Sequence, residues 1–72
     1  MKSVIDAFLF QVQERRRAAR RQREVGNEGL ALHNERAAEA IEDAVVDVFT
    51  GPETADGFLF DEDEFRAAAL RI

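Results

Sequence analysis

The segment from Leu30 to Phe49 constrains the fold of this chain most, because its apolar residues recur with the period of an α-helix. One side of that helix, called the seam below, consists of Leu30, Asn34, Ala37, Ile41, Ala44 and Val48. Five of these six residues are apolar. The opposite side is acidic, with Glu35, Glu39, Glu42 and Asp43. Because steps of three and four residues stack side chains along one face, the pattern predicts a helix over 28–49 that packs its seam against another helix.

Two glycines interrupt the helical pattern just before the seam. In the stretch Gly26-Asn27-Glu28-Gly29, a glycine can supply the left-handed residue that ends one helix, and Asn27 can cap the next. We predict a first helix over 3–25 and an antiparallel neighbour over 28–49, since short connections favour antiparallel helices. A single continuous helix is the alternative, because each glycine costs only about 1 kcal/mol relative to alanine.

The last third of the chain predicts a linker and a third helix. Gly51 and Pro52 follow the seam helix and should end it. Residues 50–60 then read as a linker that carries an aromatic docking segment, Phe58-Leu59-Phe60. Asp61, with Glu64 three residues later, should cap a helix over 61–71. The expected architecture is a single all-α domain over 1–72.

A chain of 72 residues without cysteine has no disulfide to support a small core, so it needs very tight helix packing or a second copy. In a heptad reading of the seam, Asn34 takes an a position, where asparagine can fix the oligomer state. Its partner would then be Asn34 of another copy, which favours a homodimer or a higher oligomer. Alternatively, Asn34 faces solvent.

The first helix should cover only one end of the seam. Phe8, Leu9 and Val12 can pack against the end with Ile41 and Val48, whereas arginines and alanines lie opposite Asn34. We therefore expect the partner to bind near Asn34. Phe10 points away from the apolar side of the first helix and is a further candidate for partner contact, together with Phe58 and Phe60.

The first helix also carries a basic block in a chain of net charge −5. Six arginines and no acid lie between positions 15 and 23. The block resembles the arginine-rich helices with which phage antitermination proteins and some viral regulators bind RNA hairpins. The resemblance implies nucleic-acid binding, and Arg17, Arg20 and Arg21 share one side that could follow a phosphate groove.

Internal ion pairing is the other interpretation of the basic block. In an antiparallel hairpin that turns near Asn27, the acids of the second helix lie opposite the arginines of the first. Arg20 and Arg23 should then lie level with Glu35 and Glu28. By the same count, Arg15 and Arg16 should lie level with Glu39.

The sequence contains no motif for catalysis, a metal, a cofactor or a small-molecule ligand. His33 has no second histidine or Glu-x-x-His partner, and no glycine-rich phosphate loop exists. No apolar run reaches the ~18 residues of a membrane span, and Asp6 interrupts the early apolar residues where a signal peptide would continue them. We expect a cytoplasmic protein that is not an enzyme.

These observations favour a non-enzymatic helical protein–protein interaction module that forms homo-oligomers. It could act as an adaptor, an assembly component or an inhibitor of a partner protein. Small chains of this type are common in phage and mobile-element genomes, which is the expectation for its origin. The alternative is a nucleic-acid-binding regulator that uses Arg17, Arg20 and Arg21.

Overall fold

The computed structural model describes residues 4–50 and 60–72. They form three helices, α1 (Val4–Glu24), α2 (Glu28–Phe49) and α3 (Glu62–Ala69). Side-chain bonds join Gln22 to Asn34 near the turn and Arg16 to Glu42 farther from it, so α1 and α2 run in opposite directions. The predicted all-α fold, a helical hairpin with a short C-terminal helix, is confirmed, and the continuous-helix alternative is excluded.

The turn between α1 and α2 has the geometry that its glycine predicts. Gly26 has a φ of 83°, in the left-handed region. Its N–H donates to the carbonyl oxygen of Arg23 at 3.1 Å, and the Asn27 N–H donates to that of Gln22 at 2.7 Å. This pair of bonds is the Schellman ending of a helix. The Asn27 Oδ1 then accepts the N–H of Leu30 at 3.3 Å, which confirms Asn27 as the cap of α2.

The start of α3 also follows its local sequence. The Asp61 side chain accepts the backbone N–H of Glu64 at 3.1 Å and thereby caps the helix. Acidic residues fill the first turn, where they complement the positive end of the helix dipole. The stop signal Gly51-Pro52 lies outside the described residues, as does most of the predicted linker.

The buried core of the described residues is made mainly of alanine. Its apolar members are Val12, Ala19, Ala31, Ala38, Val45, Phe65 and Ala69. Small side chains let helices approach closely, but each contributes less than the roughly 1.5–3 kcal/mol that burial of a larger aliphatic side chain provides. The hairpin is therefore closely packed around a thin core.

The buried side of α2 is rotated by about one position from the predicted seam. Its buried residues are Ala31, Asn34, Ala38, Glu42 and Val45. Phe8 and Val48 line the same groove, as expected, but the cover over this end is incomplete, because Phe8 is 36% exposed and Val48 is 60% exposed. Leu9 and Ile41 do pack against the cluster of Val12, Ala38 and Ala69, as expected for that end. The rotation follows from the alanines, which allow close approach, and from Glu42, a charged residue that occupies the buried side.

Candidate functional site

The helix α3 covers one flank of the hairpin. The Gln13 Nε2 on α1 donates to the carbonyl oxygen of Ala68 at 3.0 Å, and Arg66 Nη2 donates to Asp43 Oδ1 on α2 at 2.9 Å. Phe65 is buried at this contact. Among the described residues, no helix covers the other flank.

That other flank, called the open face below, carries an apolar stripe from both helices of the hairpin. It consists of Val4, Phe8, Leu30, Ala37, Ile41, Ala44 and Val48. Besides Phe8 and Val48, two of its larger residues are well exposed, Val4 at 62% and Leu30 at 49%. An exposed apolar patch of this kind is typical of a protein-contact surface.

Part of the open face forms a groove between the start of α1 and the end of α2. Its volume is about 330 Å³, and every side chain that lines it is apolar: Val4, Phe8, Ile41, Ala44, Val45, Val48 and Phe49. No charged or hydrogen-bonding side chain lies in this lining to bind a polar ligand. The groove instead suits the apolar side chains of another helix.

Most of the predicted seam belongs to the open face. Leu30, Ala44 and Val48 are exposed, and Ala37 and Ile41 are half-buried. The prediction that this seam joins copies of the chain remains a prediction.

The exception in the seam is Asn34, which is only 7% exposed. Its Oδ1 accepts a hydrogen bond from Arg15 Nη1 at 3.0 Å, and its Nδ2 donates to Gln22 Oε1 at 2.7 Å. Both polar atoms of the amide are thus bonded within the chain, which corrects the expectations that Asn34 pairs with another copy or faces solvent. The amide joins α1 to α2 near the turn.

Three arginines of the basic block bond to α2. Arg23 pairs with Glu28 and Glu35, as the hairpin geometry predicts, whereas Arg20, which was expected at the same level, bonds to Ile72. Arg16 pairs with Glu42 instead of Glu39, about one helical turn farther along α2. Arg15 bonds to Asn34, so it also differs from the expected contact with Glu39.

The other three arginines of the block have no hydrogen bond or ion pair to α2 among the described residues. Arg17 pairs with Glu14 of its own helix at 2.6 Å, and Arg20 Nη1 donates to the main-chain oxygen of Ile72 at 3.1 Å. Arg21 is exposed and has no ion pair within the described residues. These are the three arginines that the sequence assigned to partner or nucleic-acid contact, and Arg20 lies beside the end of the chain that follows α3.

Glu42 lies where all three helices meet. It is 3% exposed, although the sequence placed it on the solvated side of α2. Its Oε2 accepts from Arg16 of α1, and its Oε1 lies 3.5 Å from Arg66 Nη1 of α3. Arg66 also bonds to Asp43 and to Glu62. The buried carboxylate is therefore compensated by two guanidinium groups.

Ion pairs also shift the pKa values of Glu35, Arg23 and Arg66. A hydrogen bond from Arg23 lowers the pKa of the Glu35 carboxyl from 4.5. The same bond raises the pKa of the Arg23 guanidinium. The pKa of Arg66 is raised most by its hydrogen bond to Asp43 and next by its hydrogen bond to Glu62. Each of these shifts, of Glu35, Arg23 and Arg66, favours the charged form of that group.

The aromatic residues predicted for partner contact fall in different environments. Phe10 is exposed at 55% and remains available for contact. Phe60 is half-buried, with its ring centroid 5.9 Å from that of Phe49 and 5.6 Å from that of Phe65. Phe60 therefore docks α3 onto the hairpin, whereas Phe58 lies outside the described residues.

A second open groove, of about 580 Å³, lies between the three helices near the turn. Its lining combines charged residues with the end of α3: Arg16, Arg20, Arg23, Glu24, Glu35, Leu70 and Ile72. The charges largely compensate one another, because Arg16 and Arg23 are already paired with acids of α2. The groove offers no concentrated charge for an anionic ligand.

Sequence reasoning missed the roles of Glu42 and Arg66. Glu42 belongs to an acidic run that looks solvated, and Arg66 follows Glu62 by four residues, which predicts only a local pair. Its contact with Asp43 spans 23 positions of the chain. No local pattern signals such a contact.

Within residues 4–50 and 60–72, no group of three potential ligands is arranged to hold a metal ion. None of the helices in this part of the chain combines the length and apolar character needed to cross a membrane. Comparisons with protein families, curated proteins and solved structures find no match to this chain.

Proposed function

We propose that this chain is a non-enzymatic helical protein–protein interaction module that works in the cytoplasm. The open face is its binding surface. The observation that carries the proposal is the apolar groove between Val4 and Phe8 on one side and Ala44 and Val48 on the other. The module would act as an adaptor, an assembly component or an inhibitor of a partner protein.

Two features of the groove support a helix as its occupant. The groove runs along two helices whose apolar residues are spaced by three and four positions, so an apolar helix can place its own side chains between them. The small Ala37 and Ala44 on α2 would let that helix approach closely. The absence of polar groups from the lining fits burial of apolar area as the source of affinity.

Affinity capture from the native host, with mass spectrometry of the bound proteins, tests this function. We expect the wild-type chain to retain a specific protein and the Ala44→Lys variant to lose it, because a lysine would place an unpaired charge in the apolar contact. Leu32→Lys is the matched control. Leu32 is an exposed apolar residue of the same helix that does not line the groove.

The outcome depends on the difference between the two variants. If Ala44→Lys and Leu32→Lys retain the same proteins as the wild type, the open face is not the binding surface. Circular dichroism of each variant shows whether its helices are intact.

A second function, nucleic-acid binding, is favoured by the division of the basic block. Arg15, Arg16 and Arg23 bond to α2, so they are committed to the hairpin. Arg17, Arg20 and Arg21 have no hydrogen bond or ion pair to α2 among the described residues, so their guanidinium groups could contact phosphates. The opposing consideration is the net charge of −5, which repels a polyanion from the rest of the surface.

Binding to hairpin RNA and duplex DNA at two salt concentrations tests the second function. If it is correct, affinity falls steeply with salt, and replacing Arg17, Arg20 and Arg21 by alanine lowers the slope by roughly 0.7–0.9 per lost phosphate contact. The single variant Arg36→Ala, an exposed arginine on α2, should leave the slope unchanged. Absence of binding at low salt would exclude this function.

A further inference from the structure

We infer that the occupant of the open face is a second copy of this chain, so that two hairpins join into a four-helix arrangement with an α3 helix on each outer side. The inference rests on the proposed function, because it uses the same face, and it names the partner. It is drawn from the composition of the core, the distribution of charge and the dimensions of the molecule.

The core of one copy is small, so the chain needs a partner for its stability. In the part of the chain that the structure describes, four of the seven buried apolar residues are alanines, and the largest side chain without any exposure is Val12. Meanwhile Val4, Leu30 and Val48, all larger than alanine, remain exposed on the open face. If the stability of the chain depends on covering this face, its partner must be present wherever the chain is synthesised. A second copy of the chain meets that requirement.

The distribution of charge suits contact between identical surfaces. Two copies with a net charge of −5 each repel one another, so a contact between them must exclude the acids. The groove lining contains no charged residue. Glu35, Glu42 and Asp43 instead pair with arginines of α1 or α3.

Arg15, which bonds to the Asn34 of the seam, also has its partner within the chain. Arg15 donates to Asn34 within the same copy, so it does not require an acid from a partner. A two-fold interface brings the same patch of both copies together, and an uncharged apolar patch can meet itself without repulsion. A strongly charged partner would find no complementary charge in the groove.

The dimensions of the molecule allow a stable interface. Its principal extents are 44, 22 and 17 Å. A long face of a molecule with these extents measures 44 Å by 17 to 22 Å, so coverage of most of it would approach the ~800 Å² that each partner buries in a standard protein interface. The hairpin presents two antiparallel helices on this face, so a second hairpin completes the packing of an antiparallel four-helix bundle.

Analytical ultracentrifugation of the purified full chain at tens of micromolar tests the inference. We expect the wild type to sediment as a dimer. Ala44→Lys and Val48→Lys should each raise the dissociation constant about tenfold or more, because each buries an unpaired charge at the contact. Leu32→Lys, which adds the same charge to an exposed site outside the groove, should remain dimeric.

Each result supports or overturns the inference. The inference is overturned if the wild type is monomeric. It is also overturned if Ala44→Lys and Val48→Lys dimerise as tightly as Leu32→Lys. Since Ala44 and Val48 are exposed in one copy, both variants should keep their helices. Circular dichroism measures the helix content of both variants. If Ala44→Lys unfolds, Val48→Lys decides the result.

The capture experiment keeps the two proposals separate. A monomeric wild type that still captures a protein, and loses it through Ala44→Lys, would refute the second copy and support a different protein partner. A monomeric wild type with no Ala44-dependent capture would refute both.

Discussion

Glu42 shows most clearly how single residues hold this molecule together. It is almost fully buried, yet it contacts Arg16 from α1 and Arg66 from α3. A buried carboxylate without compensation would be costly, whereas one with two guanidinium partners can set the position of neighbouring helices. The Nε of Arg16 is buried without a hydrogen-bond partner, so the network is not fully satisfied.

Removal of the Glu42 charge should destabilise the fold. We expect Glu42→Gln to lower the free energy of unfolding by about 1–2 kcal/mol, because both arginines lose a charged acceptor but retain access to water. Glu39→Gln, at an exposed position of the same helix, should change it by less than about 0.5 kcal/mol. Urea denaturation at one fixed protein concentration measures both values, and equal effects would contradict this account of Glu42.

The pair between Arg23 and Glu35 makes a pH-dependent contribution. The pKa of Glu35 is lowered from 4.5 in the folded chain, so the contribution is complete above that value and is lost as the pH falls below it. The wild type should therefore be more stable than Glu35→Gln at neutral pH, by an amount that shrinks below 4.5. Urea denaturation across this range measures the difference.

Arg23→Gln removes the same pair from the other side. The difference in free energy of unfolding between the wild type and Arg23→Gln should likewise shrink as the pH falls below 4.5. A difference that stays constant down to about pH 3 would contradict the assignment.

At the scale of elements, the turn between α1 and α2 depends on one glycine. Gly26 has a positive φ, a conformation in which residues with a Cβ are strained. Gly29 lies in the first turn of α2 without a positive φ, and a Cβ there would meet no atom within 4 Å. The two glycines should therefore respond oppositely to the same substitution.

We expect Gly26→Ala to lower the free energy of unfolding by about 1 kcal/mol through backbone strain. Gly29→Ala should raise it by about 0.5–1 kcal/mol, because alanine restricts the unfolded chain and favours the helix. Thermal or urea unfolding of the two variants measures the difference in sign. Stabilisation by both would mean that Gly26 does not need its left-handed conformation.

At the scale of the whole molecule, stability should depend on association. Within residues 4–50 and 60–72 the core contains few large side chains, and a long apolar face remains exposed. Folding that is coupled to dimerisation becomes more favourable as protein concentration rises, because the folded state binds a partner and the unfolded state does not.

The melting temperature of the wild type should accordingly rise with protein concentration. The Ala44→Lys variant should melt at a lower temperature that depends less on concentration. Thermal unfolding followed by circular dichroism over a ~100-fold range of protein concentration provides the measurement. A wild-type melting temperature that is independent of concentration would indicate that one copy is stable alone.

The local features of the fold could be predicted from the sequence. The limits of α2, the Gly26 turn, and the Asn27 and Asp61 caps each depend on a few neighbouring residues. Their geometry is set by backbone sterics and by hydrogen bonds within one turn, which a sequence pattern reflects directly. The apolar stripe that includes Ile41 could be recognised for the same reason, because helical periodicity is local.

Only the tertiary structure decided which side of α2 faces the core. Periodicity favoured the seam, but α1 packs one position away, where Ala31 and Ala38 permit close approach and Glu42 finds Arg16. Burial depends on the sum of contacts among all three helices, and partners as distant in sequence as Arg66 enter that sum. The sequence pattern within one helix does not contain this information. The sequence by itself therefore determined the helices. The packing of those helices determined that the seam forms an open face.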